Sequence, residues 1–218
     1  MERREPITTA YRAVMALTTP AVRWWGRLRV EGLEHLPLEG GVLLAGNHDS
    51  YWDPIAVGIA GLPRRQIRAL AKSSLWKPGI GPVLDGMGQI PIDRGAGDAH
   101  ALDRAIEELR GGACIGIFPE GTRSLGRELR PRGGIGRLAA AVPEAEIVCC
   151  TVQGTVDIPR FPTNRPHVRV EFFRPVDGGL QPGEDHAAFA ARLVSEIRAH
   201  APIAVAGRRR ARQLAVGA

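Results

Sequence analysis

A histidine and an aspartate with four residues between them are spaced to act together in proton transfer. His48 and Asp53 lie in the polar stretch 47–54, which directly follows the apolar run 42–45. The apolar run predicts a buried strand, and Asp53 followed by proline predicts the start of a helix, because proline is favoured at the first helical position. We predict His48 as a general base, with Asp53 orienting its imidazole and stabilising the imidazolium. Such a base contributes about 100- to 10,000-fold in rate.

Two further polar clusters follow predicted strands: Asp93 and Arg94, and Glu120, Gly121, Thr122 and Arg123. Because ligands of open α/β sheets bind at the carboxyl ends of the strands, we predict that all three clusters meet in one crevice. Arg94 and Arg123, with backbone N–H groups around Gly121, predict a phosphate site. Glu120 is predicted to fix an arginine or to accept from a second substrate hydroxyl. Each cluster alone has a simpler interpretation as a helix cap, a loop or a turn.

No residue of the sequence stands out as a nucleophile. There is no Gly-x-Ser-x-Gly motif, and Ser50 is more simply a hydrogen-bonding group. The three cysteines, Cys114, Cys149 and Cys150, lie in apolar strand-like runs, where a thiolate is poorly solvated. Their odd number and irregular spacing predict neither a disulfide framework nor a metal site. We therefore expect an acceptor hydroxyl to attack an activated acyl group directly, without metal and without a covalent enzyme intermediate.

The composition predicts an anionic partner. The formal net charge is +6, and Lys72 and Lys77 are the only lysines among the 29 basic residues, so arginine carries most of the positive charge. Arginine favours phosphate groups, as in phosphorylated metabolites, acidic lipid headgroups or nucleic acid. Nucleic acid is not the expected partner, because aromatic residues make up only 5% of the chain and no groove-reading motif occurs. A non-catalytic binder of anionic membranes or nucleic acid is the alternative from another class, and an esterase or phosphatase would lack its nucleophile or metal.

Alternating strand and helix patterns predict an α/β fold: a single domain, residues 30–201, with a mostly parallel central sheet flanked by helices. Residues 1–29 form an amphipathic N-terminal segment, in which tryptophans beside arginines are typical of a membrane interface. A surface helix packed on the domain's own core explains the same pattern equally well. Residues 202–218 are predicted as a basic tail, and residues 76–88 as a stretch with little regular structure.

Three blocks, at residues 47–53, 88–94 and 118–124, resemble in order and spacing those of the 1-acylglycerol-3-phosphate acyltransferase family, which carries a His-x4-Asp motif. The resemblance covers about residues 30–175. It implies His48 as general base with Asp53 as its partner, a lysophosphatidate-like acceptor, and an acyl-CoA or acyl-carrier-protein donor with no further cofactor. It also implies a membrane-associated N-terminal segment. The residues that it implies at the acceptor phosphate are Arg94, Glu120, Gly121, Thr122 and Arg123.

The resemblance thus predicts acyl transfer to the sn-2 hydroxyl of 1-acylglycerol 3-phosphate, which gives phosphatidate, at the cytoplasmic face of the cell membrane. Another lyso-lipid or a glycolipid is the alternative acceptor. Two departures from the family pattern bear on the choice of acceptor and acyl chain. Cys149 stands where the fourth block usually has proline, and Arg132 stands where a lysine often follows the third block.

Overall fold

Parallel strand pairing dominates the sheet of this protein. The computed structural model describes residues 5–93, 98–163 and 165–204. The strands in that part of the chain are β1 (Arg29–Glu31), β2 (Val42–Gly46), β3 (Ile67–Lys72), β4 (Ile90–Ile92), β5 (Cys114–Ile117), β6 (Glu146–Gln153) and β7 (Arg169–Phe173). They form one sheet in the order β1-β7-β6-β2-β5-β3-β4. Every neighbouring pair is parallel except β6 with β7. The predicted α/β domain with a mostly parallel sheet is confirmed.

Helices cover both faces of the sheet. In the described ranges they are α1 (Thr9–Thr19), α2 (Asp53–Gly61), α3 (Gly81–Gly86), α4 (Ala99–Arg110), α5 (Gly134–Ala141) and α6 (His186–His200). One apolar core lies between the sheet and α1 and α2, and the other lies between the sheet and α4, α5 and α6. Strand β2 supplies Val42 and Leu44 to the first core and Leu43 and Ala45 to the second. This explains its unbroken apolar sequence, which is typical of a parallel strand buried on both faces.

The N-terminal helix packs on the domain by one face and exposes the other. Tyr11 and Met15 are buried, whereas Leu17 is 82% and Trp24 is 70% exposed. Pro20 does not end the helix, because the chain continues as a π-helical turn at Pro20–Trp25. The structure thus confirms that the segment packs on the domain's own core, and its contact with a membrane stays a prediction. Among the helices of the described ranges, none combines the length and the apolar character needed to cross a bilayer.

Two expectations about loops and tails have different outcomes. The prediction of little regular structure at residues 76–88 is wrong, because α3 forms there, with the N–H of Leu84 bonded to the carbonyl of Ile80. Glycine and proline on either side of this short helix mask its pattern in the sequence. Arg94 lies outside the described residues, as does the predicted basic tail beyond residue 204.

The close contact between α5 and α6 generates a prediction about stability. A Cβ atom on Gly136 would lie 2.6 Å from the Cα of His186 and 2.7 Å from its carbonyl oxygen. Gly136→Ala is therefore expected to lower the free energy of unfolding by about 1–3 kcal/mol through overpacking. Gly134→Ala, in the same helix, would meet only Ile117 at 3.9 Å and is the matched control. It is expected to be neutral or to stabilise by up to about 1 kcal/mol through helix propensity. Urea unfolding of both variants measures the difference, and equal stability would contradict the packing argument.

Candidate active site

The carboxylate of Asp53 is the buried centre of the candidate active site. It is 0% exposed, and its Oδ2 atom accepts hydrogen bonds from the backbone N–H groups of Asp49 at 2.6 Å and Ser50 at 2.7 Å. The hydroxyl of Thr155 donates to the other oxygen, Oδ1. Both backbone donors lie in the loop before α2. The carboxylate of Asp53 therefore holds this loop in place and does not act as a simple helix cap. These donors satisfy the carboxylate, as a buried charge requires.

His48 is a further donor to Asp53. Its Nδ1 atom lies 3.0 Å from Oδ2 of Asp53. Because a carboxylate oxygen only accepts, Nδ1 carries the hydrogen, and Nε2 of the neutral ring keeps a free lone pair. The imidazole also stacks on the ring of Phe118, with centroids 4.4 Å apart and planes inclined by 14°. The ring is thus held by one hydrogen bond and one stacking contact, and the lone pair on Nε2 is the one that a general base would use.

A cavity of about 540 Å³ lies beside His48. Its volume falls in the range of about 300–1,000 Å³ that is typical of sites for small molecules. Most of its wall is apolar, with aliphatic contributions from Leu44, Ile55, Val57, Ile67, Leu70 and Leu84. Tyr11 and Met15 of α1 form part of the same wall. An apolar cavity with a base at one end suits a molecule that joins a hydrocarbon chain to a reacting polar group.

Arg198 on α6 joins the two acidic side chains next to His48. Its guanidinium contacts Asp49 at 2.9 and 3.0 Å and Glu120 at 2.5 to 2.9 Å. Glu120 also accepts the backbone N–H of His48 at 2.9 Å. Burial of the guanidinium lowers its pKa, but hydrogen bonds to Asp49 and Glu120 outweigh burial, so the pKa of Arg198 lies above its ordinary value. This network fixes the backbone on which the base is carried.

The sequence-predicted phosphate ligands lie in different surroundings. Thr122 and Arg123 line the main cavity, as His48 does, and the guanidinium carbon of Arg123 lies 3.5 Å from the centre of the Tyr51 ring. Glu120 is only 4% exposed, and its carboxylate is used by Arg198 and the backbone of His48, which is the arginine-fixing role predicted as one of its two alternatives.

Gly121 and Asp93 do not line the main cavity. Gly121 borders a second cavity of about 290 Å³, and its N–H donates to the carbonyl of Phe118 at 2.9 Å, so this N–H does not serve the predicted anion site. Asp93 follows β4, which lies three strands from β2, or about 14 Å across the sheet. Its neighbour Arg94 is outside the described residues, so its place in the site stays a prediction.

The sequence did not predict the structural roles of four residues in the site: Asn47, Ser124, Thr155 and Arg198. The side-chain amide of Asn47 bonds both backbone groups of Val152, each at 2.8 Å, and so attaches the end of β2 to β6. The hydroxyl of Ser124 donates to Asp49, and its N–H donates to the carbonyl of His48 at 2.8 Å. Only the tertiary fold reveals these partners. Asn47 and Ser124 lie inside the first and third blocks, and Thr155 lies at the end of the stretch in which Cys149 replaces the usual proline. Arg198 carries no local signal.

The buried cysteines do not offer a nucleophile. Burial raises the pKa of Cys114 and of Cys149 to about 12, and the pKa of Cys150 well above its ordinary value. At neutral pH these side chains are therefore thiols and not thiolates. Within the described residues, no three His, Cys, Asp or Glu side chains are grouped so that they could hold a metal ion. Among these residue types, His48 with Asp53 is the arrangement suited to act on a ligand in the main cavity.

Comparison with known proteins identifies the family. The sequence profile described as Acyltransferase matches residues 27–159, more than half of the chain. The chain belongs to this acyltransferase family. The match includes His48, Asp53 and the 120–123 turn, but it ends before α6 and Arg198.

Individual relatives of this chain carry more specific names. A 1-acyl-sn-glycerol-3-phosphate acyltransferase of Bacillus subtilis is 32% identical over 130 residues, which are 59% of this chain and 64% of that protein. One of Borreliella burgdorferi is 38% identical over 108 residues, 48% of this chain and 42% of that protein. The chain thus spans less than two thirds of these two relatives. One of Haemophilus influenzae is 31% identical over 171 residues, 71% of this chain and 69% of that protein.

A solved structure shares the fold. The 1-acyl-sn-glycerophosphate acyltransferase of Thermotoga maritima superimposes with a TM-score of 0.67, over 88% of this chain and 80% of that one. The sequences are 21% identical, so this likeness concerns the fold alone. It agrees with the single α/β domain and the N-terminal helix of this acyltransferase.

The position of Arg198 between two buried carboxylates generates a second prediction. Asp49 and Glu120 have side chains only 2% exposed, so Arg198→Met leaves both without their cation. We expect the free energy of unfolding to fall by about 3–5 kcal/mol, and by less for Arg198→Lys, which keeps the charge but loses the planar fork. Arg174→Met, which breaks an exposed pair with Glu146, is the matched control and should cost at most about 1 kcal/mol. Denaturant unfolding measures all three variants, and an Arg198→Met loss as small as that of the control would contradict the prediction.

Proposed function

We propose that this acyltransferase moves a fatty acyl group from acyl-CoA or acyl-carrier protein to the sn-2 hydroxyl of 1-acylglycerol 3-phosphate, forming phosphatidate in phospholipid biosynthesis. The observation that carries the proposal is the oriented imidazole of His48 beside an apolar cavity of about 540 Å³. The names of the relatives support this acceptor over other lipids. Both donors present the same reacting group, an acyl thioester.

In the proposed reaction, Nε2 of His48 removes the proton of the acceptor hydroxyl as its oxygen attacks the thioester carbonyl carbon. A C–O bond forms, and the carbonyl electrons move onto oxygen to give a tetrahedral intermediate. The intermediate collapses by breaking its C–S bond, and the leaving sulfur takes the proton from the imidazolium. Asp53 stabilises the imidazolium between the two proton transfers. No covalent enzyme intermediate is involved, in keeping with the high pKa of the buried thiols.

Arg123 is the proposed partner of the acceptor phosphate. It lines the same cavity as His48, and its guanidinium can form paired, charge-assisted hydrogen bonds to a phosphate. Thr122 beside it offers a hydroxyl donor. Arg94 is proposed as a second cationic partner, on the strength of its sequence block alone. Glu120 contributes indirectly, because it holds Arg198 and the backbone of His48.

The reaction is proposed to take place at the cytoplasmic face of the cell membrane, with the protein bound peripherally or at the interface. Lipid acceptors reside in bilayers, and the formal net charge of +6 favours acidic headgroups. The exposed side chains of Leu17 and Trp24 on the N-terminal segment suit contact with the interfacial region.

Loss of the base tests the proposed mechanism. His48→Ala is expected to lower kcat/KM about 100- to 10,000-fold, because the acceptor proton then has no oriented base. His100→Ala, an exposed histidine on α4, is the matched control and should retain full activity. The measurement is transfer of a labelled acyl group to 1-acylglycerol 3-phosphate, with acyl-CoA and acyl-carrier protein in parallel.

Normal transfer by His48→Ala would refute the role of His48 as general base. No transfer by the unmodified protein, with anionic-vesicle binding that survives His48→Ala, would favour the non-catalytic binder.

An acceptor panel tests the phosphate site. Arg123→Gln is expected to raise KM for 1-acylglycerol 3-phosphate about 10- to 100-fold, since one charge-assisted hydrogen-bonding partner is lost. For monoacylglycerol, which has no phosphate, the same variant should leave KM nearly unchanged. The panel compares these acceptors with other lyso-lipids and a glycolipid, using one labelled donor. Equal efficiency of the unmodified protein with and without the acceptor phosphate would contradict the phosphate site, and a clear preference for another acceptor would replace the proposed substrate.

A further inference from the structure

The segment 74–86, here called the α3 segment, carries apolar side chains on both of its sides. Leu84 lines the main cavity and is half-buried, whereas Ile80 and Val83 are 51% and 41% exposed. Leu75 belongs to both sides, because it lines the cavity and is 46% exposed. Single exposed apolar residues are normal on protein surfaces. Leu75, Ile80 and Val83 lie within nine positions, beside a cavity with a largely apolar wall, and are here called the patch. Such a group of exposed apolar side chains indicates a site that binds a partner.

Internal contacts hold the α3 segment in place. The N–H of Ile80 bonds to the carbonyl of Lys77 at 3.0 Å, and the indole N–H of Trp76 donates to Asp85 at 2.7 Å. Gly86 packs tightly on α1, since a Cβ atom there would lie 3.0 Å from Cβ of Ala10. The backbone that carries the exposed side chains is thus held in place by the fold.

The charges around the patch indicate which partner fits it. Lys72 and Lys77, the only lysines of the chain, lie before and within the α3 segment and are both exposed. Asp85 is the acidic residue of the segment, and its carboxylate is engaged by Trp76. Aliphatic side chains flanked by long cationic ones match a bilayer with anionic headgroups, because lysine reaches the headgroups while its stem stays in apolar surroundings.

We propose that the α3 segment docks on an anionic lipid bilayer and brings the entrance of the main cavity to the lipid surface. The inference rests on the proposed function only in that a lipid substrate must pass between bilayer and cavity. The docking residues are different from Leu17 and Trp24, the exposed residues of the N-terminal segment. Ile80 and Val83 contact the acyl region, and Lys72 and Lys77 contact the headgroups.

Co-sedimentation of the full chain with vesicles tests the proposal. The vesicles are phosphatidylcholine alone or phosphatidylcholine with about one third phosphatidylglycerol. The double variant Ile80→Ser, Val83→Ser is expected to partition about tenfold more weakly to both, because two aliphatic contacts are lost. Lys77→Gln should lower binding to the anionic vesicles about fivefold at low salt and leave binding to neutral ones unchanged. Val176→Ser removes another exposed aliphatic residue, at 88%, and is the control that should bind normally.

Unchanged partitioning of the double variant, or an equal loss for Val176→Ser, would overturn the proposal. The proposal would also be overturned if the unmodified protein were a dimer and the double variant a monomer that still bound vesicles normally. The patch would then join two copies of the chain. Activity on acceptor dispersed in detergent micelles separates this test from the proposed function. The double variant should keep the activity of the unmodified protein there, and a matching loss in micelles would refute docking in favour of a defect in folding or catalysis. Vesicle binding that depends on Ile80 and Val83, in a protein without transfer activity, would support the docking proposal and refute the proposed acyl transfer.

Discussion

A buried carboxylate surrounded by hydrogen-bond donors is the interaction on which the candidate active site depends. Asp53 accepts from two backbone N–H groups of its own loop, from Thr155 on a distant segment, and from the imidazole of His48. An unpaired charge in this position would be costly by several kcal/mol, so the donors and the carboxylate hold each other in place. The same contacts give the loop its shape and choose the tautomer of His48. The ability of His48 to act as a base thus depends on the hydrogen bonds that the buried carboxylate of Asp53 accepts.

The parallel sheet supplies the frame for this interaction. β2 lies between β5 and β6, so its carboxyl end brings the His48 loop beside the Glu120 turn, which follows β5. α6, on the opposite face from α1, then delivers Arg198 to both acidic groups next to the base. Helices from the two faces thus have different tasks: α6 fixes the polar machinery, whereas α1 and α3 shape the apolar cavity. This division lets one small domain combine a buried charge network with a space for a hydrocarbon chain.

The sequence predicted those parts of the structure whose signal is local. The apolar run before His48 and the alternating strand and helix patterns reflect burial of neighbouring residues, and so the α/β class and the meeting of the first and third blocks could be inferred. Contacts that join distant segments could not, because nothing near Arg198 or Thr155 indicates a partner more than 100 positions away. α3 was missed for another reason, since its glycines and proline disguise a short helix. Of the two roles predicted for Glu120, the structure shows the fixing of an arginine, but the identity of that arginine was not predictable.

Asp53 holds neutral His48 with its hydrogen on Nδ1 and its lone pair on Nε2. Nitrogen-15 NMR of the histidine side chains at neutral to mildly alkaline pH reads out this tautomer, with Asp53→Asn as reference and His48→Ala for assignment. We expect a protonated Nδ1 with a downfield proton, an unprotonated Nε2, and loss of this pattern in Asp53→Asn, whose amide can donate to the ring. A neutral ring with its hydrogen on Nε2 in the unmodified protein, or a tautomer insensitive to Asp53→Asn, would refute this role of Asp53.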